Sequence, residues 1–172
     1  DPQTYFYPAK DLLFYQADLR SKELLRQRME VLQAVAEGGS LTVVASFDAF
    51  MDSLIPKEQL GERFLRIKND SAVNLEDLQR ELTDLGYDRE VQIEGRGQFS
   101  VRGGILDVYP LTEELPVRIE LWGDEVDSIR TFDVETQRSI ENLTEISICP
   151  AIEFPREGER RVSFLDYFPA DE

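Results

Sequence analysis

Apolar residues between Ser21 and Gly39 recur every three or four positions, so that Leu24, Leu25, Met29, Leu32, Val35 and Ala36 fall on one stripe. This spacing predicts an amphipathic helix with its stripe turned to a core. Ser21 has a side chain suited to capping its start, Glu23 suits the first turn, and Gly38-Gly39 suit its end. The stretch before it, Tyr5 to Leu19, is rich in Tyr and Phe and contains Pro8, which predicts an extended lead-in with a short helical turn. SLTVVAS (40–46) reads as a continuously buried strand, and FDAFMDSLI as a short helix stopped by Pro56. Helix, buried strand, helix is the grammar of a parallel α/β layer. Residues 1–67 are too few for a whole doubly wound domain and predict part of one.

ERFLRIKND then predicts an exposed strand, followed by a second helix. Asn74 can cap that helix, Glu76 and Asp77 sit near its positive end, Leu75, Leu78, Leu82 and Leu85 share a face, and Gly86 closes it. From Val91 onward the period changes to two, which predicts strands over 91–94, 98–109, 117–122, 125–133 and 144–149. Strands joined by short turns form an antiparallel meander, here packed on one helix. The expected fold is therefore α+β, with a partial α/β layer over 1–67, an α+β domain over 68–150, and a return segment over 151–172 in which the strand pattern is lost.

Composition narrows the chemistry. Of 172 residues, 41% are hydrophobic and 31% charged, ordinary for a soluble folded protein. No apolar run reaches the ~18 residues of a membrane span, so no membrane partner is expected. The chain opens at Asp1 without Met, as an excised fragment would. It has no histidine, which removes Ser-His triads and His-metal sites. The single cysteine, Cys149, allows no internal disulfide and suits a reducing cytoplasm. No G-x-x-x-x-G-K-[ST] loop occurs. The formal net charge of −16 opposes a broad nucleic-acid surface, because DNA affinity comes largely from neutralising phosphates with Lys and Arg.

Two stretches remain as candidates. GQFSVRGGILDVYP (97–110) carries Gly103-Gly104, which suit a bulge or a close backbone approach within a strand. A phosphate cradle would place glycines between a strand and a helix, whereas more strand follows here. In VRIELWGDEVDSIRTFD, alternation puts Ile119 and Leu121 on one side and Arg118, Glu120 and Trp122 on the other. The more apolar side must face the helix, leaving Trp122 among charges on the open face. A single exposed aromatic is common, but Trp and Arg together are the residues that most often carry interface energy, so both readings stand. Arg102, from a neighbouring strand, can join this face. DEVD (124–127) resembles the acidic boxes of nucleotide hydrolases, yet it sits at a turn with no lysine loop in the chain.

LGYDREVQIEGRGQFSVRGGILDVYP and LPVRIELWGDEVDSIRTFDVETQRS resemble the second domain shared by UvrB and the transcription-repair coupling factors of nucleotide excision repair, FDVETQRS being closer to the coupling factors. The helix–strand–helix at 21–55 is similar to the closing part of the preceding, UvrB-like domain, and the tail looks like an abbreviated form of the family's return segment. The resemblance implies a non-catalytic module that docks UvrA and so recruits it to stalled transcription. By motif position the docking residues are Arg102 in SVRGG, Arg118 in VRIE, and Trp122 where the family usually has Phe; Glu120, Arg96 in EGRGQ and Arg89 in YDRE also match. It further implies no cofactor in this chain. ATP and Mg²⁺, the translocating motor, and the contacts to RNA polymerase and DNA belong to other regions of such proteins, in the bacterial cytoplasm. A UvrB-like damage-binding fragment or an ATP-dependent helicase fragment are the alternatives. If Arg118 simply lies on an open face, Arg118→Glu is expected to abolish UvrA binding without changing the melting temperature.

Overall fold

The structure, a computed structural model, describes residues 3–10, 18–38, 40–152 and 157–168. It divides into two compact units, Asp1–Arg63 with Ile152–Glu172, and Phe64–Ala151. The fold is α+β.

In the first unit β1 (Gln3–Tyr7) pairs in parallel with β2 (Leu41–Ala45), and α1 (Asp18–Glu37) connects them. The stripe on α1 is buried at Met29, Leu32 and Val35. The chain is already helical at Asp18, so Ser21 lies inside the helix rather than at its cap. The expected helical turn before it falls within 11–17, outside the described residues. The lead-in is extended, as β1. Strand β2 is not buried on both faces: Thr42 and Val44 are exposed, and Val44 (52%) stands beside its register partner Phe6 (62%). No element among the described residues of this unit covers that face. Ser46 Oγ accepts from Ala49 N (3.3 Å) and caps α2 (Phe47–Phe50), which ends much earlier than expected because the chain straightens into β3 (Ser53–Leu54). Pro56 then opens α3 (Lys57–Glu62) instead of stopping a helix, since its fixed φ of −53° and missing N–H are tolerated at a helix start.

The second unit runs through β4 (Leu65–Lys68), α4 (Leu75–Asp84), β5 (Asp88–Arg89), β6 (Gln98–Arg102), β7 (Ile105–Tyr109), β8 (Val117–Trp122), β9 (Glu125–Phe132), β10 (Ser139–Leu143) and β11 (Glu145–Ile148). Six strands form one sheet in the order β10-β9-β8-β7-β6-β5, antiparallel except for the short β5–β6 edge. Asn74 Oδ1 accepts from the backbone of Glu76 (2.9 Å) and Asp77 (3.2 Å), which caps α4. Leu78, Leu82 and Leu85 pack against Phe99, Leu106, Val108, Val117, Ile119, Val126 and Ile129 on one face of the sheet. β11 does not join this sheet. It pairs with β4, and Ile67 and Ile146, level with each other, are both buried in the same core. β4 is thus exposed on one side only, at Arg66 and Lys68, with Ile67 in the core, and the unit begins at Phe64, a few residues before the boundary placed near 68.

Three strand expectations are corrected. Residues 91–94 form no strand, and β10 was not anticipated. The stretch 98–109 is two strands folded back on each other, with Arg102 opposite Ile105 and Gly103-Gly104 as the turn. Gly103 takes φ +62°, a value that favours glycine in a two-residue hairpin loop. Gly104 is needed for space: a Cβ there would lie 2.7 Å from the Leu121 carbonyl oxygen, in a hairpin whose Gly104 carbonyl accepts from Leu121 N at 2.8 Å.

The chain then returns to the first unit as β12 (Val162–Ser163), antiparallel to β3, and a 3₁₀ turn at Phe164–Tyr167. Phe164 stacks on Tyr7 with ring centres 4.1 Å apart, and Tyr167 Oη donates to the Ile55 carbonyl (2.6 Å). Arg28, 1% exposed, lies over the Tyr7 ring and donates to Asp52 (2.7 Å) and to the Pro8 carbonyl (2.5 Å).

Gly104→Ala is expected to destabilise the second unit by about 2 kcal/mol, as β7 and β8 must part to admit the methyl group; a urea titration reads this as a lower midpoint with an unchanged slope. Cys149 is buried and burial pushes its thiol pKa up. A disulfide reagent at neutral pH is therefore expected to label it only as fast as the unit opens, with prompt reaction after addition of denaturant.

Candidate functional site

The six-stranded sheet has one face against α4 and one that no helix of this unit covers among the described residues. Alternation along each strand fixes which residues lie on the open face. They form cross-strand rows: Ser100, Asp107, Arg118, Arg130 and Asn142 in one, and Arg102, Ile105, Glu120 and Ser128 in the next. Trp122 follows Glu120 along β8 on the same face. Arg102, Arg118, Glu120 and Trp122 are thus brought to one side of the sheet.

Arg118 and Arg130 are directly opposite on β8 and β9, an arrangement that like charge disfavours. Each is met by its own carboxylate. Arg118 Nε and Nη2 donate to the two oxygens of Asp107 at 2.7 and 2.8 Å, a bidentate pair in which both side chains are only 12% exposed. Nη2 donates also to Gln137 Oε1 (2.8 Å), and the guanidinium lies 4.4 Å from the centre of the buried Phe132 ring. The hydrogen bonds from Arg118 to Asp107 raise the Arg118 pKa above its ordinary value. Arg130 pairs with Glu120, which also accepts from Ser128 Oγ (3.2 Å), while Arg130 Nε is buried with no hydrogen-bond partner among the described residues.

Trp122 and Arg102 are held differently. Trp122 is 85% exposed, at the end of β8 opposite Glu125. The strand pairing sets it beside the tip of the β6–β7 hairpin, where the two glycines contribute no side chain to cover the indole. Arg102, at that tip, is exposed and makes no ion pair or side-chain hydrogen bond among the described residues. The remaining two candidates lie apart. Arg96 is in the loop before β6, where its Nε donates to the Glu113 carbonyl (3.0 Å) and its guanidinium lies 5.3 Å from the centre of the Tyr109 ring. Arg89 is exposed on the edge strand β5, level with core-facing Phe99, and so leaves the sheet on the helix-bearing side.

Four participants were not anticipated from the sequence: Asp107, Phe132, Arg130 and Gln137. Reading Gly103-Gly104 as a hairpin loop puts Asp107 opposite Ser100 and on the face of Arg102, but its place opposite Arg118 depends on the β7–β8 register, which those glycines do not set. Gln137 has no local signal, as its position depends on the course of the 133–138 loop. Asp107 and Glu120 are each engaged by an arginine, and Trp122 and Arg102 project outward. Such a face can receive a second macromolecule, the indole supplying apolar area and Arg102 an unspent charge.

Residues 65–154 match the family described as the UvrB interaction domain. The chain is 39% identical over 169 residues to a transcription-repair-coupling factor of Bacillus subtilis (strain 168), with 96% of this chain and 14% of the relative covered. It is 36% identical over 154 residues to that of Staphylococcus epidermidis (strain ATCC 12228 / FDA PCI 1200), covering 90% of this chain and 13% of the relative. The corresponding figures for Staphylococcus aureus (strain MRSA252) are 34% over 152 residues, 88% and 13%. The chain thus spans about one seventh of the length of the curated relatives it matches. The family match takes in slightly over half of the residues and the whole sheet that carries Arg102, Arg118 and Trp122, and on that ground the chain belongs to the UvrB interaction domain family.

Proposed function

We propose that this chain is a docking module of a transcription-repair coupling factor, and that the open face of its six-stranded sheet binds UvrA to bring excision repair to stalled transcription. One observation carries the reading: an 85% exposed Trp122 on the same face as Arg102, an arginine with no partner among the described residues. Burying an indole against a shallow apolar site while a guanidinium meets an acid is the arrangement by which few residues supply most of an interface's affinity. The module acts by contact and not by chemistry. ATP, Mg²⁺, RNA polymerase and DNA are engaged by other parts of such a protein, in the bacterial cytoplasm. Arg96 and Arg89 are peripheral in this reading, because one is tied to Glu113 and the other leaves the opposite side of the sheet.

Titration calorimetry with purified UvrA tests it. Trp122→Ala is expected to weaken binding by about 2 kcal/mol, roughly thirtyfold in Kd. Arg102→Glu should weaken it as well, and neither should move the melting temperature, since both side chains stand in solvent. Wild-type affinity in both variants would sink the proposal. Arg118→Glu behaves otherwise than the sequence alone suggests. It sets a second carboxylate against Asp107 in a pair only 12% exposed, so stability is expected to fall by about 3 kcal/mol together with binding. Calorimetric melting of that variant separates the two losses.

A further inference from the structure

Gln137 stands in a conformation that an L-residue rarely adopts. Its φ is +60°, in the left-handed region, within the loop that joins β9 to β10. The surrounding hydrogen bonds hold it there. Gln137 N donates to the Asp133 carbonyl (2.8 Å), and Asp133 N donates to the Arg138 carbonyl (3.0 Å). Asp133 Oδ1 accepts from Thr136 N (2.7 Å) and Thr136 Oγ1 (2.8 Å), bonds that lower the Asp133 pKa. The carboxamide is held at both ends: Nε2 donates to the Val134 carbonyl (2.8 Å) and Oε1 accepts from Arg118 Nη2 (2.8 Å). Glycine would occupy this backbone without strain. A strained residue whose side chain reaches a candidate interface residue points to a role in that interface.

The geometry at Arg118 shows what the role is. Asp107 takes Nε and one proton of Nη2, Gln137 takes the second proton of Nη2, and Phe132 lies against the face of the guanidinium. Only Nη1 makes no hydrogen bond among the described residues. We infer that Gln137 is a positioning residue: with Asp107 and Phe132 it locks Arg118 so that the single nitrogen Nη1 is offered to the docking partner. Arg118 therefore does not grip a partner carboxylate through two nitrogens. It presents two N–H groups from one nitrogen to one or two acceptor oxygens, with its rotamer freedom already lost before binding. The inference rests on the docking reading above and specifies the chemistry of that contact.

Gln137→Gly tests it, because the substitution relieves the backbone while removing the clamp. The variant is expected to melt at or above the temperature of the parent chain, yet to bind purified UvrA about tenfold more weakly. In spectra of chain carrying ¹⁵N-labelled arginine, the Nη protons of Arg118, assigned by their loss in Arg118→Lys, should resolve separately in the parent and merge in Gln137→Gly. Parent-like affinity in Gln137→Gly overturns the inference alone. A marked fall in its melting temperature also overturns it, since Gln137 would then be a structural prop. Nη signals already merged in the parent show that Arg118 is not held, and overturn it without reference to UvrA. A parent chain that fails to bind UvrA overturns the docking reading, and the inference falls with it.

Discussion

The pairing of Asp107 with Arg118 across β7 and β8 decides what the open face of the sheet can show to solvent. Without it, two arginines would confront each other on β8 and β9, and Phe132 would lose the planar group lying against its ring. With it, one arginine is neutralised in place and Glu120 is left to serve the other. Charge on this face is thereby paired both within a row, Arg118 with Asp107, and across rows, Arg130 with Glu120, and Arg102 at the hairpin tip remains unspent. A sheet with one helix-covered face needs such an arrangement, because the other face must stay ordered without a hydrophobic layer above it.

Much of this architecture could be read along the chain, and the failures share a cause. The stripe of α1, the cap of α4 and the alternation of β8 and β9 are local signals, and the structure contains them. Errors arose where a residue's meaning depends on a distant one. Gly103-Gly104 were read as a bulge or a close backbone approach within one strand; the close approach exists, between Gly104 and the Leu121 carbonyl on β8, but the chain folds back there into two strands. Pro56 was read as a stop, although the same fixed φ serves a helix start. SLTVVAS was expected to be covered on both faces because parallel strands usually are, and here one face is open at Val44.

The candidate face shows the same division. Trp122, Arg118 and Glu120 were placed together by parity, with Arg102 able to join them from a neighbouring strand, and all four share one side of the sheet. Parity does not say which charges are already engaged. Arg118 and Arg102 look equivalent in sequence, yet one is locked in a bidentate pair and the other is exposed at a hairpin tip. Arg96 and Arg89, carried over on motif position, fall elsewhere because a loop contact and a parallel edge strand take them away from the face.

The bare strip at Phe6 and Val44 has a colloidal consequence. Exposed apolar residues on neighbouring strands favour self-association, and a net charge of −16 opposes it by keeping like molecules apart. That repulsion is long-ranged only in dilute electrolyte. Handling this polypeptide in concentrated salt, or acidifying it until its carboxylates protonate, removes the barrier and leaves the adhesive strip to govern how the molecules behave towards one another.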